Sequence, residues 1–98
     1  MKKVLIDKNI LWLAKDRELL KDYEFPPFEV GKDLKQTSYD ENCGSFCYDR
    51  NCDFITGDDT AYKHFFTNKK IKSVEISEFY YEKNAERQLF RVKILEKN

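Results

Sequence analysis

The chain carries no net charge, because its 18 basic and 18 acidic residues cancel. Nonspecific attraction to a polyanion is therefore absent from the molecule as a whole, and any nucleic-acid contact needs a local basic patch. Long apolar runs are lacking too. No stretch approaches the roughly 20 residues of a membrane helix. Only Val4-Leu5-Ile6 follow the basic start Met1-Lys2-Lys3 before Asp7, too few for the core of a signal peptide. These absences exclude a membrane partner and point to the cytoplasm. Cysteine is scarce and odd in number, at three, so free thiols in a reducing compartment are expected. Internal repeats, low-complexity segments and a second domain are all missing.

What is present is a single small domain. Its 98 residues suffice for one modest core, and 37% of them are charged, so few apolar positions are spare. Aromatic residues make up 15%, with eight Phe and six Tyr, and are expected to supply much of the buried area. Residues 2–6 read as a strand buried on both faces, since three aliphatics follow one another without alternation. The spacing of Ile10, Leu13, Ala14 and Leu20 predicts a helix over 9–22, with Asp7 or Asn9 as its cap. Phe25-Pro26-Pro27-Phe28 ends it. Phe28-Glu29-Val30 reads as a short second strand closed by Gly31.

Ser38 and Glu41 fit a capping box, which predicts a helix over 39–49 with Tyr39, Cys43, Phe46 and Cys47 on its buried stripe. Residues 52–56 read as a third strand, 58–67 as a helix and 71–76 as a further strand. In the final run, Phe90, Val92 and Ile94 share one face while Arg91 and Lys93 take the other, the pattern of a terminal hairpin. The alternation of strands and helices favours an α/β domain of three layers with a mainly parallel central sheet and a C-terminal β-hairpin.

Two of these strands end on a carboxylate, Asp7 and Asp58. In open parallel sheets, ligands bind outside the carboxyl ends of the strands, and right-handed crossovers put both ends on one edge. A pocket of carboxylate oxygens suits a hard divalent cation such as Mg2+ or Mn2+. The competing reading is structural: Asp40 and Asp58 each open a predicted helix, where acids serve as caps. Thr56 either turns its hydroxyl toward the pocket or caps the next helix. Asn9 either supports the first acid or caps its own helix.

The segment Val4-Leu5-Ile6-Asp7-Lys8-Asn9-Ile10 is similar to the opening of compact PIN-like proteins. Tyr39-Asp40-Glu41, followed by Asn51-Cys52-Asp53-Phe54-Ile55-Thr56-Gly57-Asp58, resembles that family's acidic helix start and its T-x-D strand end. The resemblance spans about residues 2–76. It implies an α/β fold of the PIN type and a ribonuclease dependent on Mg2+ or Mn2+, with VapC-type toxins among its relatives. Asp7, Asp40 and Asp58 become the metal-holding and catalytic acids. Glu41 is the alternate to Asp40, and Asp59 the nearest substitute for a further acid that relatives carry where this chain has Thr60. On a helix, Asp59 would leave about 100° away from Thr60. Lys8 stands where relatives often have an acid. These departures weigh against two metals about 3.5–4 Å apart, the arrangement that stabilises both entering and leaving oxygens.

The implied partners are RNA and an antitoxin protein, or a second copy of the chain. Lys69, Lys70 and Lys72 form the only dense basic run, suited to RNA phosphates or to a solvated loop. Tyr80 and Tyr81 suit base stacking, core packing or a dimer surface. Two other readings stand beside the nuclease. One is a non-catalytic PIN-like module that binds RNA or protein. The other is a zinc-stabilised domain built on Cys43, Cys47, Cys52 and His64, against which buried core thiols are the simpler account. A Cys52–His64 nucleophilic pair has nothing in the sequence to orient its base.

Overall fold

A computed structural model describes residues 1–35, 40–58, 74–83 and 88–97, and at 40, 41, 74, 83, 88–90 and 97 its description is of the backbone alone. The expected helix over 58–67, the residues Asp59, Thr60 and His64 within it, and Lys69, Lys70 and Lys72 lie outside the described residues. The described elements are β1 (Lys3–Ile6), a 3-10 helix (Lys8–Lys15), β2 (Phe28–Glu29), α1 (Asp40–Arg50), β3 (Cys52–Thr56), β4 (Val74–Lys83) and β5 (Gln88–Lys97). The strands form one sheet in the order β2-β1-β3-β5-β4.

This sheet overturns the expected mainly parallel, three-layer PIN-type architecture. β1 runs parallel to β2 and β3, but β5 is antiparallel to both β3 and β4. The reason is the connection between β4 and β5. Lys83 pairs with Gln88, so the chain reverses within a few residues, and a turn that short joins only antiparallel strands. The hairpin then places its second strand, not a crossover strand, beside β3. β4 is also longer than the sequence pattern indicated, running unbroken from Val74 to Lys83.

The second correction concerns the first helix. In place of an α-helix over 9–22 there is a 3-10 helix over Lys8–Lys15, with Ile10 outside helical geometry at φ −136° and ψ 34°. Ile10 and Leu13 are both buried and three residues apart. A 3-10 turn stacks positions i and i+3, so this pair reaches the sheet without a longer helix. Asp16 then ends the segment by accepting a hydrogen bond from the Leu19 backbone N–H at 3.0 Å, a side-chain turn that competes with continued helix.

Each face of the sheet has its own apolar cluster. On one, α1 lays Cys43, Phe46 and Cys47 against Leu5, Val30, Phe54 and Leu95. Phe46 meets Phe28 edge-on at 5.2 Å between ring centres, a favoured aromatic geometry. On the other, Ile10, Leu13, Ala14 and Leu20 cover Val4, Ile6, Ile55 and Val92. α1 gives way to β3 through Asn51, whose φ of 54° is the left-handed conformation common after a helix end. Among the described residues, no helix is long and apolar enough to cross a membrane.

One bond ties the hairpin to the 3-10 helix: the Tyr81 hydroxyl donates to Asp16 Oδ2. That hydrogen bond, with the one from the Leu19 N–H, holds the Asp16 carboxyl below its usual range. The same contact, helped by burial, pushes Tyr81 up to about 12 from 10.0. The two shifts act at opposite ends of the pH scale. The Asp16 contribution to stability is present above pH 3.8 and is lost as pH falls through the lower folded value. The Tyr81 contribution is present below pH 10.0 and is lost as pH rises toward about 12. Tyr81→Phe is expected to lower stability by about 1 kcal/mol near neutrality and to flatten both limbs. Urea unfolding between pH 3 and pH 11 checks this; unchanged limbs would refute it.

Candidate functional site

The carboxyl ends of β1 and β3 lie side by side, because Ile6 pairs with Ile55 in parallel register. One residue further on, Asp7 and Thr56 meet. The Thr56 hydroxyl donates to Asp7 Oδ2 at 2.6 Å, and the Lys8 backbone N–H donates to Oδ1 at 2.7 Å. Asp7 is 4% exposed and Thr56 is fully buried. The Asp7 backbone N–H continues the sheet by donating to Ile55 O at 2.9 Å. A buried carboxylate needs such donors, since leaving a charge without them is costly.

The chain after β3 wraps onto the same point. The Asp58 backbone N–H donates to Thr56 Oγ1 at 3.0 Å, and the Gly57 N–H donates to Asn9 Oδ1 at 3.3 Å. A Cβ on Gly57 would stand 3.2 Å from the Ile10 side chain, so the close approach of this turn to the 3-10 helix favours glycine. Asp7, Asn9, Thr56 and Asp58 thus share one rim, as the sequence predicts for Asp7 and Asp58. Asn9 does neither of its expected jobs. Its amide oxygen clamps the turn after β3, while Asp7 itself caps the 3-10 helix. Thr56 turns its hydroxyl to Asp7 and accepts from the Asp58 N–H; the helix it was expected to cap lies outside the described residues.

α1 lies against β3, where Cys47 Sγ donates to Asp53 O at 3.7 Å.

Compared with known protein families, curated proteins and solved structures, the chain matches none. What the rim can do must come from its own chemistry. Its donors are hard oxygens, yet no three His, Cys, Asp or Glu side chains among the described residues are grouped to hold a metal. Asp7 and Asp58 are the described acids at the rim; Asp40 and Glu41 lie in the first turn of α1.

Lys93 is a residue that the sequence reading did not single out. It lies on the face opposite Val92, as its alternation implies, and is 5% exposed. β5 is not an outer strand: it lies between β3 and β4, and Lys93 stands directly opposite Thr56 on one side and Glu78 on the other. Directly opposed residues project to the same face of a sheet, so Lys93 shares the face of Thr56.

Two further polar clusters lie away from the rim, the first of them unseen in the sequence. At the opposite end of the sheet, Asp53 is 2% exposed and accepts from the Tyr23 hydroxyl at 2.9 Å and from Lys2 Nζ at 3.4 Å. Burial and the Asp53 charge push Tyr23 well above the ordinary tyrosine range. A cleft of about 400 Å³ opens there, between Lys2, Asp22, Tyr23 and Glu96. The thiols form the other cluster. Cys43, Cys47 and Cys52 are all buried and in no disulfide. Burial pushes the Cys47 thiol up, and a hydrogen bond from Cys47 brings Cys52 down. They pack under α1 as core residues, which is the simpler of the two sequence readings.

Proposed function

We propose that the rim formed by Asp7, Thr56 and Asp58, with Asp40 or Glu41 at the start of α1, binds one divalent cation, Mg2+ or Mn2+, and hydrolyses RNA phosphodiesters. The observation that carries this reading is the 2.6 Å hydrogen bond between Thr56 and Asp7, residues that lie 49 positions apart in the chain. A carboxylate has about four lone-pair sites. Lys8 and Thr56 take one on each oxygen of Asp7, and each oxygen keeps one for a further ligand.

The bound cation would supply charge stabilisation and a more acidic water. The chain's own residues do the positioning. Lys8 N–H and the Thr56 hydroxyl fix the orientation of the Asp7 carboxylate. Thr56, accepting from the Asp58 N–H, sets the start of the segment that carries Asp58. The resemblance to PIN-type ribonucleases in Asp7, Asp40 and Thr56-Gly57-Asp58 supports RNA as substrate and a cytoplasmic setting. It also supports an antitoxin or a second copy as protein partner.

The alternative, a non-catalytic PIN-like module for RNA or protein, is favoured by Thr60 at a position where PIN-like relatives carry an acid and by the zero net charge. The two readings separate in one assay. Purified protein is expected to cleave unstructured RNA with Mn2+, to lose that activity in chelator, and to lose it at least about a hundredfold in Asp58→Asn, the scale of removing one charge-stabilising group from an active site. Cleavage that persists in chelator and in Asp58→Asn would refute the reading.

A further inference from the structure

Among the described strands, β4 is the outer one on the side away from β2. It runs ten residues, Val74–Lys83, and pairs with β5 at every one of them without a bulge. An outer strand presents a row of backbone N–H and C=O groups on its free edge, ready to pair with another strand. Short length, proline or a bulge commonly blunts such an edge. β4 has none of the three, whereas β2, at the opposite edge, is only two residues long. The side chains of β4 are open as well. Glu75, Ile76, Ser77 and Glu78 are exposed in succession, on both faces of the sheet, and so are Tyr80 and Glu82. Ile76 is 41% and Tyr80 70% exposed, and positions four apart in a strand share one face.

We infer that β4 is the docking edge for a second copy of the chain, which pairs with it antiparallel about a two-fold axis at Phe79 and joins the two sheets into one. An axis normal to the sheet keeps each face on its own side, and a two-fold contact sets residue i opposite j and j opposite i. Centred on Phe79, it sets Glu75 opposite Lys83 of the second copy, and Lys83 opposite Glu75 of the second copy. Phe79 meets its own counterpart. Opposite charges and aromatic rings are favourable when directly opposed, and like charges are not. Moving the axis by one residue sets Glu78 opposite Glu78 in one direction and opposite Glu82 in the other, so charge complementarity selects the centre. In the Phe79 register, Ile76 of one copy and Tyr80 of the other become diagonal neighbours, within reach of an aromatic side chain. This surface is independent of the metal reading of the rim. The contact is a single strand edge, so association is weak and dilute protein is monomeric.

The test is sedimentation equilibrium of the full chain over about a hundredfold range of concentration. It is repeated with Glu75→Lys, Lys83→Glu, the double swap of both, and Glu82→Lys, each checked for native circular dichroism. Wild type is expected to exchange between monomer and dimer as concentration rises. Glu75→Lys and Lys83→Glu each oppose like charges twice, once on either side of the axis, so each should dimerise at least about tenfold more weakly. The double swap restores opposite charges and should return to wild-type strength. Glu82→Lys alters the net charge as Glu75→Lys does but faces the uncharged Ile76 of the second copy, so it should dimerise as wild type does. The single changes at 75 and 83 spare the fold. Within the chain Glu75 faces Glu96, so a lysine there relieves a like-charge pair, and Lys83 faces the uncharged Gln88. A wild type that stays monomeric throughout the range overturns the proposal. So does a dimer that Glu75→Lys and Lys83→Glu leave unchanged, or one that the double swap fails to restore. Equal weakening by Glu82→Lys and Glu75→Lys would trace the effect to net charge and overturn the Phe79 register.

Discussion

Phe54→Ala is expected to leave the chain largely unfolded at 37 °C. Phe54 is fully buried in the middle of β3, the central strand of the sheet, and is the largest of the fully buried side chains. It packs with Leu5, Val30, Phe46, Cys47 and Leu95 beneath α1, so its loss opens a cavity whose walls come from β1, β5, the residue after β2 and a helix. A buried phenylalanine cut to alanine costs about 3–5 kcal/mol. A domain of this size has roughly 5–15 kcal/mol in total, so one substitution removes a large share of it. Urea unfolding followed by circular dichroism should show a much lower midpoint with an unchanged slope. The control is Tyr80→Ala, where the side chain is 70% exposed and the expected change is within about 0.5 kcal/mol. A midpoint for Phe54→Ala as close to wild type as that of the control would mean that the α1 face is not the main core.

Much of that core was legible in the sequence because local pattern and tertiary role agree there. The unbroken run Val4-Leu5-Ile6 can only be a strand covered on both sides, and it is. The spacing of Cys43, Phe46 and Cys47 marks a helical stripe, and those three residues are the ones α1 buries. The errors arose where a position in the sheet, not the local pattern, decides the outcome. Alternation in Phe90-Arg91-Val92-Lys93-Ile94 implies one wet face, as in an antiparallel sheet covered on one side. This sheet carries a cluster on each face, so Val92 is fully buried while Lys93 on the opposite face is 5% exposed. Asp53 is hidden for the same reason. Flanked by Cys52 and Phe54 in a strand buried throughout, it is satisfied by Tyr23 from 30 residues upstream, and no short-range signal announces that pairing.

What local pattern could not give was where the expected hairpin docks: its second strand pairs antiparallel with β3, and that makes the sheet mixed. The rim survived these errors because it depends on only two parallel strands, β1 and β3, whose register puts Asp7 beside Thr56. The meeting of Asp7 with the Thr56–Asp58 turn was therefore legible although the sheet around it was not.

Asp7→Asn should separate the two roles that this residue can play. As a cap of the 3-10 helix, asparagine serves about as well as aspartate. Its amide oxygen can keep the Lys8 N–H, and the Thr56 hydroxyl can rotate to accept from the amide NH2, since a hydroxyl has two acceptor lone pairs. The fold should therefore persist, with a cost of about 1 kcal/mol. If Asp7 does nothing more, RNA cleavage and Mn2+ affinity will be as in wild type. If its charge is what holds the cation, both should fall at least about a hundredfold while the unfolding curve barely moves. Thr56→Val gives the opposite pattern. It keeps the charge but removes a donor from a buried carboxylate and an acceptor from the Asp58 N–H, so stability should fall by about 1–3 kcal/mol. Cation affinity should then drop by about 10–100-fold, as when a group that orients a ligand is lost. Measuring both variants by unfolding and by Mn2+ titration makes the decision. An Asp7→Asn protein that loses stability as Thr56→Val does, with unchanged cation binding, would make the rim a structural cap and remove the basis for a nuclease.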